Sequence, residues 1–512
     1  MDLVLEQIQN LQILNQFWLS LFLLIPIVLV ARTVVAGTKF SPILIIVVFG
    51  LAMGYVLVVS RVATQGLPEF PIIELISKTT TVALSVSFFV GGQEIRKIFG
   101  GQKINVEDMV VPSKEEVMLG TSRTQVVYIV RSFFLLLGIE SLYRIITGSY
   151  LSEISRYHSL VAYIGIIGSI ILLDYKATIT NKPLYIKKGI VEIIIFTSIL
   201  VATHYISVAI RPLIALPQIF FAVLLGSGLG AIMYKWRFGP TIKALLFAGI
   251  PIVLAANFMV GGSRIVQAFS IKGMTSVMAY GFFGQMFWMF GGIALLMLLG
   301  RTSNVRNLAP GMAGSLSHSG LTGACTAGDL GEMAALRAPI MINIPFAGHI
   351  FVFSILAISA GRGSLLMVPS IVVVAIGLAL TIVALLTLRN SRGRETVEVK
   401  GLMQFSLGFQ LLAVFGGFIL LAAAGMPIGY SAMAKSSAIS HFGLFAATQG
   451  GMFGSEEATM IPFIFAMPFL IHPFVFYMFG KAMERDGEMP KIPVFVLAAL
   501  GLMGVIFSLI TI

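Results

Sequence analysis

Apolar runs of about twenty residues recur along this chain from Phe17 to Ile512, and no other feature constrains its fold as strongly. A hydrocarbon layer about 30 Å thick takes roughly 20 apolar residues per helix, and about fourteen such runs occur, near 17–35, 42–60, 72–93, 125–146, 158–173, 189–207, 213–234, 244–260, 277–300, 338–357, 365–388, 402–424, 458–479 and 493–512. The remaining sequence cannot offset this apolarity, since 57% of the 512 residues are hydrophobic and only 11% are charged. Lipid is the natural solvent for most of such a surface. The expectation is an all-α polytopic membrane protein of about 14 transmembrane helices. No basic stretch precedes the first run and no small-residue cleavage site follows it, so it reads as a retained helix rather than a removed signal. The single cysteine, Cys325, excludes an intramolecular disulfide framework.

Charge placement gives the expected topology. About 25 of the 34 lysines and arginines fall in or beside the odd-numbered loops, including Arg96, Lys97, Lys187, Lys188, Arg389, Arg394 and Lys400. Basic loops mark the cytoplasmic side. Both termini are therefore expected on the outer side of a cell membrane, which in a bacterium is the inner membrane. The basic residues are not interleaved with aromatics, so the net charge of +12 reads as a topology signal facing membrane lipids, with no nucleic-acid partner.

Two pairs of segments repeat. Phe88, Val90-Gly91-Gly92, Ile95 and Phe99 are matched in register by Phe258, Val260-Gly261-Gly262, Ile265 and Phe269. Each copy follows a proline-led helix with paired glycines, Pro42 with Gly50 and Gly54, then Pro217 with Gly226 and Gly230. In the second pair, Ser317-His318-Ser319-Gly320-Leu321 meets Ser440-His441-Phe442-Gly443-Leu444. Further on, Pro339, Pro345, His349 and Phe351-Val352-Phe353 meet Pro462, Pro468, His472 and Phe474-Val475-Phe476. Roughly fourteen identities over 37 positions stand against about three expected by chance. Five spans separate the first pair and three the second. Both numbers are odd, so each pair is expected to be related by inversion through the membrane, as in secondary transporters whose site lies between repeats near the midplane.

The segments 311–337 and 426–457 are too polar and glycine-rich for lipid-facing helices. They are expected to be re-entrant or broken, the first entering from the cytoplasm and the second from outside, because irregular backbone at membrane depth must find partners in protein or water. Their glycines also suit close helix packing. The candidate substrate-binding residues are Ser317, His318, Gly320 and Thr322 in the first segment and Ser440, His441, Gly443 and Gln449 in the second. The candidate ion ligands are Asn257, Thr326, Asp329, Thr448 and Glu456, chosen as neutral oxygens or as carboxylates that cost roughly 2.5 to 3.5 kcal/mol at the bilayer centre. Arg337 is near enough in sequence to pair with Asp329 and Glu332, a reading that places those carboxylates at an interface. His349 and His472, each beyond an equivalent proline, are expected to mark bent helices.

No P-loop, His-Glu-x-x-His or Gly-x-Ser-x-Gly motif is present, so an enzyme is not expected, and no loop is long enough for an ATPase. The order of elements from Leu216 to Phe353, with Pro217, the Gly261-Gly262 pair, another span and then His318 and Gly320, resembles the second half of the glutamate:sodium symporter family. That family's wider relatives include cation/proton antiporters and sodium-coupled anion carriers. Residues Pro42 to Phe99 resemble the start of its first half. The resemblance implies an ion-coupled carrier with re-entrant hairpins that forms a homodimer, takes a small anionic substrate and a sodium ion, and needs no organic cofactor. Three units are expected: 1–188, 189–360 with its re-entrant segment, and 361–512 with the partner segment. Sodium-coupled symport of a small organic anion is the leading expectation, with a cation/proton antiporter and a non-transporting membrane scaffold or receptor subunit as alternatives.

Overall fold

A computed structural model of the protein describes all residues except 1, 36–40, 61–69, 101–122, 178–181, 212, 214–215, 317, 327, 392–393 and 484–486. The principal helices are α1 (Asp2–Val35), α2 (Pro42–Val59), α3 (Pro71–Ser77), α4 (Thr80–Phe99), α5 (Arg123–Thr147), α6 (His158–Ala177), α7 (Lys182–Ile210) and α8 (Gln218–Ile232). They continue as α9 (Pro240–Ser263), α10 (Met274–Leu298), α11 (Val305–Ser315), α12 (Ser319–Thr326), α13 (Glu332–Arg362), α14 (Met367–Arg389) and α15 (Glu395–Ala423). The last four are α16 (Ile428–Ala438), α17 (Phe442–Gln449), α18 (Ser455–Met483) and α19 (Lys491–Ile510).

Among the described residues, twelve helices are long and apolar enough to cross a membrane, or thirteen if the bent α13 counts as one span. This falls short of the expected fourteen at two places. The run near 213–234 folds only as α8, whose 15 residues reach about 22 Å, less than the hydrocarbon thickness. The run near 338–357 belongs to α13, which bends by 47° between Phe346 and Gly348. Outward faces of α14 and α19 leave Val368, Ile371, Val372, Ile492, Val496 and Phe507 more than half exposed, a surface that a multi-pass membrane protein presents to lipid.

The first repeat packs crosswise. Gly50 and Gly54 of α2 lie against Phe258 and Met259 of α9, while Gly226 and Gly230 of α8 lie against Phe88 and Phe89 of α4. A side chain at Gly50, Gly54 or Gly230 would collide with the facing helix and one at Gly226 would press on Phe88, so the paired glycines set how closely these helices approach. The second repeat is longer than its conserved core: α10 through α14 and α15 through α19 follow the same order of a long helix, two short ones and two long ones. They interlock end to end, α10 against α19 and α14 against α15. The repeats also meet each other equivalently, because Gly91 seats the Pro339 carbonyl of α13 and Gly261 seats the Pro462 carbonyl of α18.

Both polar segments are helical hairpins. The 11 residues of α11 span about 16 Å, near half the hydrocarbon thickness, before the chain turns back through α12. Asn307 in the first turn of α11 accepts a bond from Arg337 in α13, so the chain leaves where it entered. In the second hairpin Tyr430 of α16 donates to Glu456 of α18 at 2.9 Å, which has the same consequence. Counted with the bent α13 as one span, three helices, α13, α14 and α15, lie between the hairpins, the number with which the two would enter from opposite faces.

Candidate functional site

The hairpin tips meet. His318 and His441 form an isolated antiparallel pair, the Ser319 N–H donates to the Ser440 carbonyl at 3.0 Å, and the two serine hydroxyls are 3.1 Å apart. Ser440 holds a φ of +52°, a conformation that non-glycine residues adopt at a cost. Backbone that leaves helical geometry at this depth needs local partners, and the tips supply them in duplicate. The His318 N–H reaches the Ala313 carbonyl at 2.8 Å and the His441 N–H reaches that of Ser436 at 2.9 Å. Each imidazole then caps the helix it begins, Nδ1 accepting from the Leu321 N–H in one case and from the Leu444 N–H in the other, both at 3.0 Å.

These caps fix the tautomers. An Nδ1 that accepts leaves the proton on Nε2. At His441, Nε2–H therefore donates to His349 Nε2, 3.0 Å away, which is free to accept because His349 Nδ1–H is spent on the Pro345 carbonyl at 3.0 Å. At His318 the Nε2–H points at the Gln285 amide at 2.6 Å. That bond requires the amide turned so that Oε1 faces the ring, since amide orientation follows from the hydrogen bonds it must make. His472 mirrors His349: Nδ1 meets the Pro468 carbonyl at 3.2 Å and the ring stacks on Phe469 at 4.2 Å, as His349 stacks on Phe346 at 4.1 Å. All four imidazoles are fully buried. Gly320 and Gly443 belong here for space, because a Cβ on Gly320 would lie 2.7 Å from His472 and one on Gly443 would lie 3.0 Å from His349.

Other candidates fall at the hairpin ends. Asn257 donates to the Ser77 carbonyl at 3.1 Å, beside the break between α3 and α4, and accepts from Gln449 at 3.2 Å. Gln449 in turn lines a cleft of about 220 Å³ with Glu74, Lys78, Arg264 and Thr459. Thr326 and Thr448 spend their hydroxyl protons on their own helices, on the carbonyls of Thr322 and Leu444, each at 2.8 Å. Their lone pairs remain for a cation. Thr322 is buried in α12. Asp329 lies at the mouth of the first hairpin, accepting from Ser41 at 3.0 Å, and Glu456 lies at the mouth of the second. Neither carboxylate belongs to the tip cluster. Arg337 pairs with neither Asp329 nor Glu332. It reaches Asn307 and, at 3.0 Å, Glu395; Glu332, five residues earlier on α13, does not share its face, and Asp329 lies before that helix, bonded to Ser41. Ser317 lies outside the described residues.

Sequence reasoning missed the two glutamines. Gln285 meets His318 and Gln410 meets His441 at 3.1 Å, and both stand in a shared Gln-x-x-x-x-Phe-Gly-Gly pattern, 285–292 and 410–417. That pattern was the available signal. His349 and His472 lie within the cluster itself, beyond the bending role expected of them. No three potential metal ligands converge among the described residues. The arrangement is instead a neutral hydrogen-bonded core where two α-helix C-termini and two N-termini meet, able to present partial charge of either sign. No family model matches this sequence, no curated protein is significantly similar to it, and no solved structure matches it significantly.

Proposed function

We propose that this membrane protein is a secondary active transporter that couples sodium to the uptake of a small organic anion, such as glutamate or a related carboxylate. The observation that carries the reading is the meeting of the two hairpin tips at His318 and His441. Converging half-helix ends suit an anion at their N-termini and a cation at their carbonyl ends. In this reading His318, Ser440 and His441, with the space kept by Gly320 and Gly443 and the neighbouring Ser317 and Thr322, orient the substrate. Asn257 and Gln449, beside their cleft, together with the lone pairs of Thr326 and Thr448, serve sodium. The surplus of basic residues in the odd-numbered loops of the sequence supports termini on the outer side.

A second reading, cation/proton antiport, draws on Asp329, a carboxylate held by Ser41 and within electrostatic reach of Arg32. The test is uptake into proteoliposomes under an imposed sodium gradient, with radiolabelled glutamate, dicarboxylates and small amino acids, against a proton-gradient control. Sodium-driven accumulation supports symport. Cation flux driven by the proton gradient and lost in Asp329→Asn moves the assignment to antiport, and silence in both leaves a membrane scaffold.

A further inference from the structure

The two halves of the second repeat differ at one position where the difference is chemical. Gly292 of α10 packs against Met312 of α11, and its counterpart Gly417 of α15 packs against Lys435 of α16. A methionine thus stands in one hairpin where a lysine stands in the other. Lys435 is fully buried, and its Nζ has no hydrogen-bond partner among the described residues. The ammonium lies 4.6 Å from the centre of the Trp288 ring and 5.8 Å from that of Tyr280. Aromatic faces attract a cation but do not satisfy its N–H groups. Those rings are buried too, and among the described residues Trp288 Nε1 and Tyr280 Oη have only each other as a close polar neighbour, in poor hydrogen-bond geometry.

A buried amine without a partner, beside two ring donors satisfied at best by one another, is costly to keep. Their chemistry is one-sided. Protonated, as it would be beside a bound anion, the Lys435 amine offers three protons, the indole one and the phenol one, and only the phenol can then also accept. Such a set is complementary to an acceptor-only group with negative charge. Lys435 is one turn before the tip of its hairpin and within electrostatic reach of His441, so the set adjoins the candidate site.

We infer that Lys435, Trp288 and Tyr280 form the subsite that binds a carboxylate group of the transported anion; this rests on the symport reading above. The ammonium supplies the charge and the two ring donors fix the carboxylate oxygens. The pseudo-equivalent Met312 leaves the other half without such a subsite, so one carboxylate is bound per chain in an otherwise duplicated frame.

The test uses the full chain purified in detergent with Trp18→Phe and Trp236→Phe, which leaves Trp288 as its tryptophan. Sodium glutamate or sodium succinate replaces sodium chloride at constant sodium, and Trp288 emission is followed, with melting temperature of the otherwise unaltered chain as a second reading. Saturable change with a carboxylate, weakened roughly 10- to 100-fold in Lys435→Met, is the expected result. That variant copies the residue the protein itself places against Gly292, so packing is kept. No saturable change by either reading, an equal response to chloride, or equal carboxylate binding in Lys435→Met overturns the subsite. Carboxylate binding that needs Lys435, without sodium-driven uptake, would remove the symport reading and leave the subsite; undiminished uptake by Lys435→Met would do the reverse.

Discussion

His441 Nε2 lies 3.0 Å from His349 Nε2, whereas the equivalent rings of His318 and His472, at the same 4.8 Å centroid separation, leave His472 Nε2 without a hydrogen-bond partner among the described residues. The symmetric frame is thus hydrogen-bonded differently in its two halves. Replacing either outer histidine by phenylalanine keeps the ring and its stacking. His349→Phe removes two bonds and His472→Phe one, so the first is expected to cost about 0.5 to 1.5 kcal/mol more. Denaturation midpoints of the two variants in one detergent check this, and equal losses would contradict the tautomers assigned here.

Gly320→Ala and Gly443→Ala each put a methyl group against a buried imidazole, 2.7 Å from His472 Nε2 and 3.0 Å from His349 Nε2. Overpacking of this kind costs about 1 to 3 kcal/mol. Both variants are expected to melt lower, Gly320→Ala by the larger amount, and both to lose sodium-driven uptake out of proportion to the stability lost. Wild-type uptake in either would mean the tip rings need no fixed seat.

Much of this architecture was readable from the residues because it is repeated and because its solvent is lipid. The paired glycines at Gly50 and Gly54 and at Gly226 and Gly230 marked a repeat whose helices the fold packs through them, and the repeated histidines His318 and His441 marked the segments that meet, although at their tips rather than their starts. What escaped were groups whose meaning lies in a partner far along the chain. Gln285 precedes its histidine by 33 residues, and nothing in a polar residue on an apolar helix says which element it faces. Lys435 escaped for a related reason. One lysine in a segment already too polar for a lipid-facing helix draws no notice, and its contrast with Met312 is visible only once the hairpins are laid on each other. Arg337 was assigned to nearby carboxylates by sequence distance, which helical geometry overrules.

The Arg337 cluster gives an asymmetric expectation. Its guanidinium is 2% exposed, whereas Glu395 is 62% exposed. An ion pair with one solvated partner contributes about 0 to 1 kcal/mol, so Glu395→Gln is expected to leave the melting temperature nearly unchanged. Asn307→Leu removes the buried acceptor and strands the charge, at about 1.5 to 3 kcal/mol. Thermal melts of the pair check the order, and a larger loss in Glu395→Gln would reverse which bond holds the base of the first hairpin.

Asn257 and Gln449 join the broken span of α3 and α4 to the far end of the second hairpin, through bonds of 3.1 and 3.2 Å. If sodium binds beside them, it stabilises the folded chain by mass action, raising the melting temperature with concentration until the site fills. Potassium at equal ionic strength separates this from screening. Gln449→Ala opens the rim of the cleft while leaving Asn257 bonded to Ser77, so the variant is expected to fold and to lose most of the sodium-specific shift. Asn257→Leu also removes the shorter of the two bonds to the Ser77 carbonyl and is expected to melt lower even without sodium, by about 1 kcal/mol. A sodium shift of wild-type size in Gln449→Ala would move the cation away from this cleft, toward the carbonyl ends at the hairpin tips.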